Sequence, residues 1–162
     1  MITGAINEDI FAFVKRKAQT PSAIIITTNT CLRSDGMTGI MGAGIAKQAR
    51  ELCPEAEYRL GELINRCGEC VGELGRIQSD SGQDIILLAF PTKRDFRDKS
   101  DIELIRQSAQ QLVFWMNQHP SIKYAFMPPV GCGLGGLDWA TQVEPVLSSM
   151  LRNQRFVALI KR

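Results

Sequence analysis

Two short runs, Ala23–Thr28 (AIIITT) and Asp84–Phe90 (DIILLAF), carry almost no polar alternation. A strand with one wet face alternates, so a strand without alternation is covered on both sides, as in a parallel sheet between two helical layers. A third run, Ile122–Met127 (IKYAFM), reads as another buried strand, and Pro128 and Pro129 end it by removing backbone donors and fixing φ. Helical patterns lie between these runs. The spacing predicts a helix over Glu8–Ala18 with Asn7 as its cap, one from the glycine-rich Gly39–Gly44 segment to the residue before Pro54, and one over Glu55–Asn65. Ser100 and Glu103 form a capping box for a long helix to about Gln118, with Ile102, Leu104, Ile105, Leu112, Val113 and Trp115 inward; Thr141 and Glu144 form a second box before Pro145. Met1–Thr3, Glu73–Gln78 and Arg155–Ile160 are the remaining strand candidates. The order β-α-β-α-α-β-β-α-β-α-β predicts one α/β domain over residues 1–162, three-layer, with a mixed, mostly parallel central sheet.

The charge balance of +2 argues for no nucleic-acid partner by itself, so any such claim has to be local. The start MITGAINEDI has neither the basic end nor the apolar centre of a signal peptide, no apolar run approaches membrane-spanning length, and a cytoplasmic protein is expected. In a reducing compartment the five cysteines would be free thiols. Cys67 and Cys70 form a lone CxxC, read as a glycine-containing connector in preference to a redox pair or half a zinc site, because no second ligand pair stands at zinc spacing. The single histidine, His119, precedes Pro120 at a helix end, which suits a surface role. No metal site is expected.

Two glycine clusters carry the chemistry. In VGCGLGGLDW, Gly131, Gly133, Gly135 and Gly136 follow a buried strand directly, so the backbone can take positive φ and bring bare N–H groups up to an anion such as a phosphate or diphosphate. The loop spells G-x-G-x-x-G, but only 26 residues follow Gly136 and none after Glu144 is acidic, which excludes the dinucleotide-binding βαβ unit. Gly39, Gly42 and Gly44 likewise sit between a strand and a helix. Ile45 and Ala46 exclude a P-loop there, and the cluster serves either a ligand or a tight helix–sheet contact. In an open α/β sheet both loops would face one edge.

Lys93 follows the apolar strand at that same edge, where partial desolvation would lower its pKa and make the amine a nucleophile. Alternatively PTKRDFRDKS is a solvated charged loop; Arg94 and Arg97, with Phe96 among them, form a local basic patch that either guides an anionic substrate or is plain surface.

The opening MITG, the TTN at Thr27–Asn29, GIMGAGIAKQA at Gly39–Ala49, FPTK at Phe90–Lys93 and PPVGCGLGGLDW at Pro128–Trp139, in that order, resemble a macrodomain, the ADP-ribose-binding α/β/α module. The similarity is greatest to the branch with the terminal ADP-ribose glycohydrolase and the antitoxin DarG, which acts on ADP-ribosylated DNA. The resemblance implies an ADP-ribosyl hydrolase acting on protein carboxylates or nucleic-acid bases, with a non-catalytic ADP-ribose reader and an ADP-ribose 1″-phosphate phosphatase as alternatives. It implies that Lys93 attacks the distal ribose, that Asn29 approaches that ribose, and that Met41, Gly42, Ala43, Gly44 and Ile45 line ribose and diphosphate. Val130, Gly131, Cys132, Gly133, Leu134 and Gly135 would hold the phosphates, largely through backbone N–H groups, and Gly4 and Ile6 would lie near the adenine. Ala5 stands where many macrodomains carry an adenine-reading aspartate, leaving backbone, stacking or Asp9 for that task. Gly135 stands where the terminal glycohydrolase has an aspartate, and the Thr30–Thr38 loop is longer than in DarG. ADP-ribose is expected as ligand or product with no separate cofactor, its partners being ADP-ribosylated protein or nucleic acid, in a monomer away from membranes.

Overall fold

A computed structural model describes residues 1–162. The elements run β1 (Ile2–Ile6), α1 (Ile10–Lys17), β2 (Ser22–Thr28), α2 (Gly44–Leu52), α3 (Ala56–Cys67), β3 (Gly72–Gln78), β4 (Asp84–Pro91), α4 (Ile102–Gln118), β5 (Tyr124–Met127), α5 (Glu144–Met150) and β6 (Phe156–Lys161), with a π-helical turn, Trp139–Val143, leading into α5. The six strands form one sheet in the order β1-β6-β5-β2-β4-β3, parallel throughout except for β3 against β4.

The two unalternating runs are neighbours at the centre, paired Ser22 to Ile85 through Thr28 to Pro91. Because successive strand residues point to opposite faces, each run divides between two cores. Ile24, Ile26, Ile85 and Leu87 pack under α1, α2 and α3, with Phe11, Val14, Ala49 and Leu60. Ala23, Ile25, Ile86, Leu88 and Phe90 pack under α4 and α5, with Ile105, Leu112 and Leu147. These are the three layers, with the sheet in the middle.

Three helix starts differ from the sequence expectation. Asp9, not Asn7, caps α1, its Oδ1 accepting from Phe11 N at 2.8 Å and Ala12 N at 3.3 Å. Asp101, not Ser100, caps α4 through Glu103 N at 2.9 Å. Asp138 accepts from Thr141 N at 2.8 Å and caps the π-helical turn, so Thr141 receives a cap instead of supplying one. Within α4, Leu104, Ile105 and Leu112 are fully inward, whereas Ile102, Val113 and Trp115 are half-buried.

The free-thiol expectation also needs correction at one pair. Gly68, at φ 72°, turns the chain back at the end of α3, bringing the Cα atoms of Cys67 and Cys70 to 6.1 Å, and the two residues are joined as a disulfide. Cys31, Cys53 and Cys132 are free.

The long loop after β2 is docked on α3. Gly61 lies so close to the Met37 carbonyl that a Cβ there would collide with it. Gly39 N donates to Glu57 O at 2.8 Å, Arg33 pairs with Glu57 at 2.7 Å, and Asn65 donates to Gly36 O at 2.9 Å.

Candidate functional site

The parallel strands β2, β4 and β5 deliver their C-terminal residues Thr28, Pro91 and Met127 to one edge, and a cleft of about 710 Å³ opens there. Both glycine clusters line it: Gly42–Ala46 at the start of α2 on one wall, Gly131–Gly135 on another, with Asn29 between them and Lys93 beyond β4.

The glycine loop has its form for identifiable reasons. Gly131 and Gly136 take φ 76° and 77°, closing a turn in which Leu137 N donates to Gly131 O at 3.0 Å and Gly136 N to Cys132 O at 3.2 Å. Gly133, Leu134 and Gly135 are left with N–H groups that donate to nothing in the chain. The Cys132 N–H is occupied by Pro129 O at 3.2 Å, so fewer donors are free than the resemblance implied. A Cβ on Gly135 would lie 2.5 Å from Gly131 O and against Ser100 Oγ, so no side chain fits there on this backbone. Opposite, α2 starts at Ala43 with no side-chain cap, leaving first-turn N–H groups and the positive end of the helix at the cleft.

Lys93 is half-buried, lines the cleft and makes no hydrogen bond or ion pair. Its neighbours are engaged. Arg94 is paired with Glu69 at 2.5 Å and Asp101 at 2.8 Å. Arg97 forks onto Asp95 at 2.7 and 3.0 Å, which holds the Asp95 carboxyl down at about 2, and its guanidinium lies 5.6 Å from the Phe96 ring. Lys93 is thus the free cation of the FPTKRDFR segment.

Asn29 is nearly buried and does structural work: Nδ2 donates to Ile40 O at 3.0 Å and Oδ1 accepts from Cys31 N at 2.9 Å. Cys132 lines the cleft with its thiol pushed up by burial and then by the nearby Asp138 charge. Four of the expected residues are not in the cleft wall. Met41 and Val130 are fully buried beneath it, Ile6 belongs to the core under α1, and Gly4 stands in β1 opposite Leu159 of β6. Asp9 is taken up by the α1 cap and by Gln48. His119 is away from the cleft, stacked on Trp115 at 3.7 Å with Nδ1 2.7 Å from Trp115 O. No group of three or more His, Cys, Asp or Glu side chains is placed to hold a metal ion, and no helix is long and apolar enough to cross a membrane.

The sequence reading missed Thr28, Thr92, Asp98 and Ser100 as cleft residues, and Phe96 and Arg97 of the basic patch also line the cleft. Thr28 offered a signal, as a hydroxyl ending an otherwise apolar central strand. Ser100 was hidden by its resemblance to a helix cap.

No protein-family model matches the chain. It is 29% identical over 121 residues to the DNA ADP-ribosyl glycohydrolase of Thermus aquaticus, covering 72% of this chain and 31% of that protein. It is 30% identical over 129 residues to a DNA ADP-ribosyl transferase-DNA ADP-ribosyl glycohydrolase fusion protein of Thermosipho africanus, covering 70% and 33%. The chain therefore spans about a third of the length of these curated relatives. Among solved structures it superposes on the macrodomain of Mycobacterium tuberculosis DarG with a TM-score of 0.71 at 25% identity, over 99% of this chain and 97% of that one. This chain is a macrodomain, homologous to those of the DarG proteins. The macrodomain sheet supplies the parallel edge, its two glycine loops supply the donors, and the β4–α4 connection supplies the lysine.

Proposed function

We propose that this macrodomain is an ADP-ribosyl glycohydrolase that releases ADP-ribose from modified nucleic-acid bases or protein carboxylates, with Lys93 as its nucleophile. The observation that carries the reading is a half-buried, unpaired lysine in the same cleft as two sets of unengaged backbone N–H groups. The names of the homologous proteins support it. The N–H groups of Gly133, Leu134 and Gly135 and the start of α2 would take the diphosphate, the part of ADP-ribose that needs donors and positive potential. With the diphosphate held there, the distal ribose would lie towards Lys93. In this reading Nζ forms a bond to the anomeric carbon while the bond to the base or carboxylate breaks, and the leaving group keeps the electron pair and takes up the proton that Nζ gives up. Water then replaces Nζ at that carbon, freeing ADP-ribose and restoring the lysine. The expected setting is the cytoplasm.

Gly135 favours a second reading, a binding protein without turnover, because the loop has no room for a carboxylate that could assist the chemistry. One experiment separates the two: ADP-ribose release from thymidine-modified single-stranded DNA and from carboxylate-modified protein, with Lys93→Ala in parallel. Release that vanishes in the variant, with ADP-ribose still bound, is expected. Binding without release from either substrate would leave the reader, and release of inorganic phosphate from ADP-ribose 1″-phosphate would indicate a phosphatase instead.

A further inference from the structure

Buried polar side chains almost always find a partner, because an unpaired one gives up its hydration for nothing. Here Ser22 donates to Thr20 O at 3.1 Å, Ser108 to Pro91 O at 2.6 Å, Asn29 to Ile40 O at 3.0 Å, and Ser79 pairs with Ser81 at 3.0 Å. Among side-chain oxygens and nitrogens fully shielded from solvent, two have no partner, Thr28 Oγ1 and Ser100 Oγ, on residues only 4% and 8% exposed. Both residues line the cleft. Two orphan hydroxyls with no third elsewhere argue that the cleft's occupant is their partner.

Their positions divide the work. Ser100 is fastened to the glycine loop, its N–H donating to Gly135 O at 2.9 Å and its Oγ lying where a Gly135 Cβ would be. Thr28 ends β2 beside Asn29, and its carbonyl accepts from Thr92 N at 3.0 Å, next to Lys93. Resting on the ADP-ribose reading above, we infer that Ser100 is a ligand contact for the diphosphate and Thr28 a ligand contact for the distal ribose, each rotating about χ1 to meet it. Neither hydroxyl makes an interaction that the empty fold needs, so each lowers apo stability and is retained for the ligand.

The test is calorimetric titration of ADP and of ADP-ribose, with thermal denaturation of the unliganded proteins. Ser100→Ala should weaken both ligands by about tenfold, as expected for a lost hydrogen bond to a charged group. Thr28→Val should weaken ADP-ribose by about fivefold and leave ADP, which has no distal ribose, within about twofold, while Thr28→Ser retains affinity. Both hydroxyl-deleting variants should melt no lower than wild type. Unchanged affinity in them, or a clear fall in apo melting temperature, overturns the inference while leaving the ADP-ribose reading intact. A wild-type protein that binds neither nucleotide overturns both, and the failure then appears in the wild type instead of the variants.

Discussion

Arg94 Nε lies 2.5 Å from a Glu69 carboxylate oxygen, tying the residue beside Lys93 to the turn between α3 and β3. The same guanidinium reaches Asp101 at the cap of α4, and the Arg94 carbonyl accepts from both the N–H and the hydroxyl of Thr30 at 3.0 Å. Three elements therefore converge on the backbone that carries Lys93. An exposed ion pair adds little to stability, but a displaced nucleophile loses rate steeply. Arg94→Ala should cost less than about 1 kcal/mol of stability and lower turnover about tenfold or more, with ADP-ribose affinity nearly unchanged. Wild-type turnover in this variant would show that Lys93 is positioned without Arg94.

The glycines of the loop should differ sharply in tolerance. Gly133→Ala meets nothing within 4 Å and does not stand at positive φ, so the unliganded protein should melt as wild type. Gly135→Ala puts a Cβ against Gly131 O and Ser100 Oγ. It should lose about 1–3 kcal/mol in urea denaturation, the usual range for overpacking, and should lose ADP-ribose binding with it. Equal stability of the two variants would mean that the loop yields more easily than its packing implies.

Asn29→Asp retains the acceptor for Cys31 N but replaces the donor to Ile40 O with a carboxylate oxygen facing a carbonyl. A loss of about 1–3 kcal/mol is expected, falling most heavily on protection of the Asn29–Ile40 segment in hydrogen exchange. A variant as stable as wild type would show that the second glycine cluster is not anchored through this amide.

Cys53 gives a pH dependence with a definite sign. Burial raises its thiol from the ordinary 9.0 to about 11, helped by the hydrogen bond to Glu55. The unfolded thiol ionises first, so this contribution is whole below pH 9.0 and is lost as pH rises towards about 11. Below that window Cys53→Ala should be less stable than wild type, since the sulfur fills the space above Gly75. Within the window the gap should narrow, and a constant gap in urea titrations from neutral to alkaline pH would contradict the assignment.

The layers were legible in the sequence because AIIITT and DIILLAF have no polar face to expose, and the element order follows from them. The helix caps were less legible for a local reason. Asn7 and Asp9, two residues apart, and the adjacent pair Ser100 and Asp101 each offer rival capping residues, and tertiary contacts choose between them. At α4 the Ser100 amide is drawn to Gly135 O, which leaves Asp101 at the cap. The strand order was beyond reach because β5 and β6 insert between β1 and β2, and such pairing is decided by packing across the sheet. In the cleft, the glycines and Lys93 stood out by residue type. Thr28 and Ser100 became visible only when their neighbours could be searched for partners, while Gly4 and Ile6 were carried over from a motif whose place here lies outside the cleft wall.

The closeness of Gly61 to the Met37 carbonyl makes the loop after β2 and the middle of α3 a single transferable module. A homologue with any side chain at the position of Gly61 cannot accept this loop in this pose, and a chain that has lost the loop is released from the need for glycine there. Grafting residues 30–38 onto another macrodomain in this pose therefore requires a glycine at the matching position of the helix beneath them.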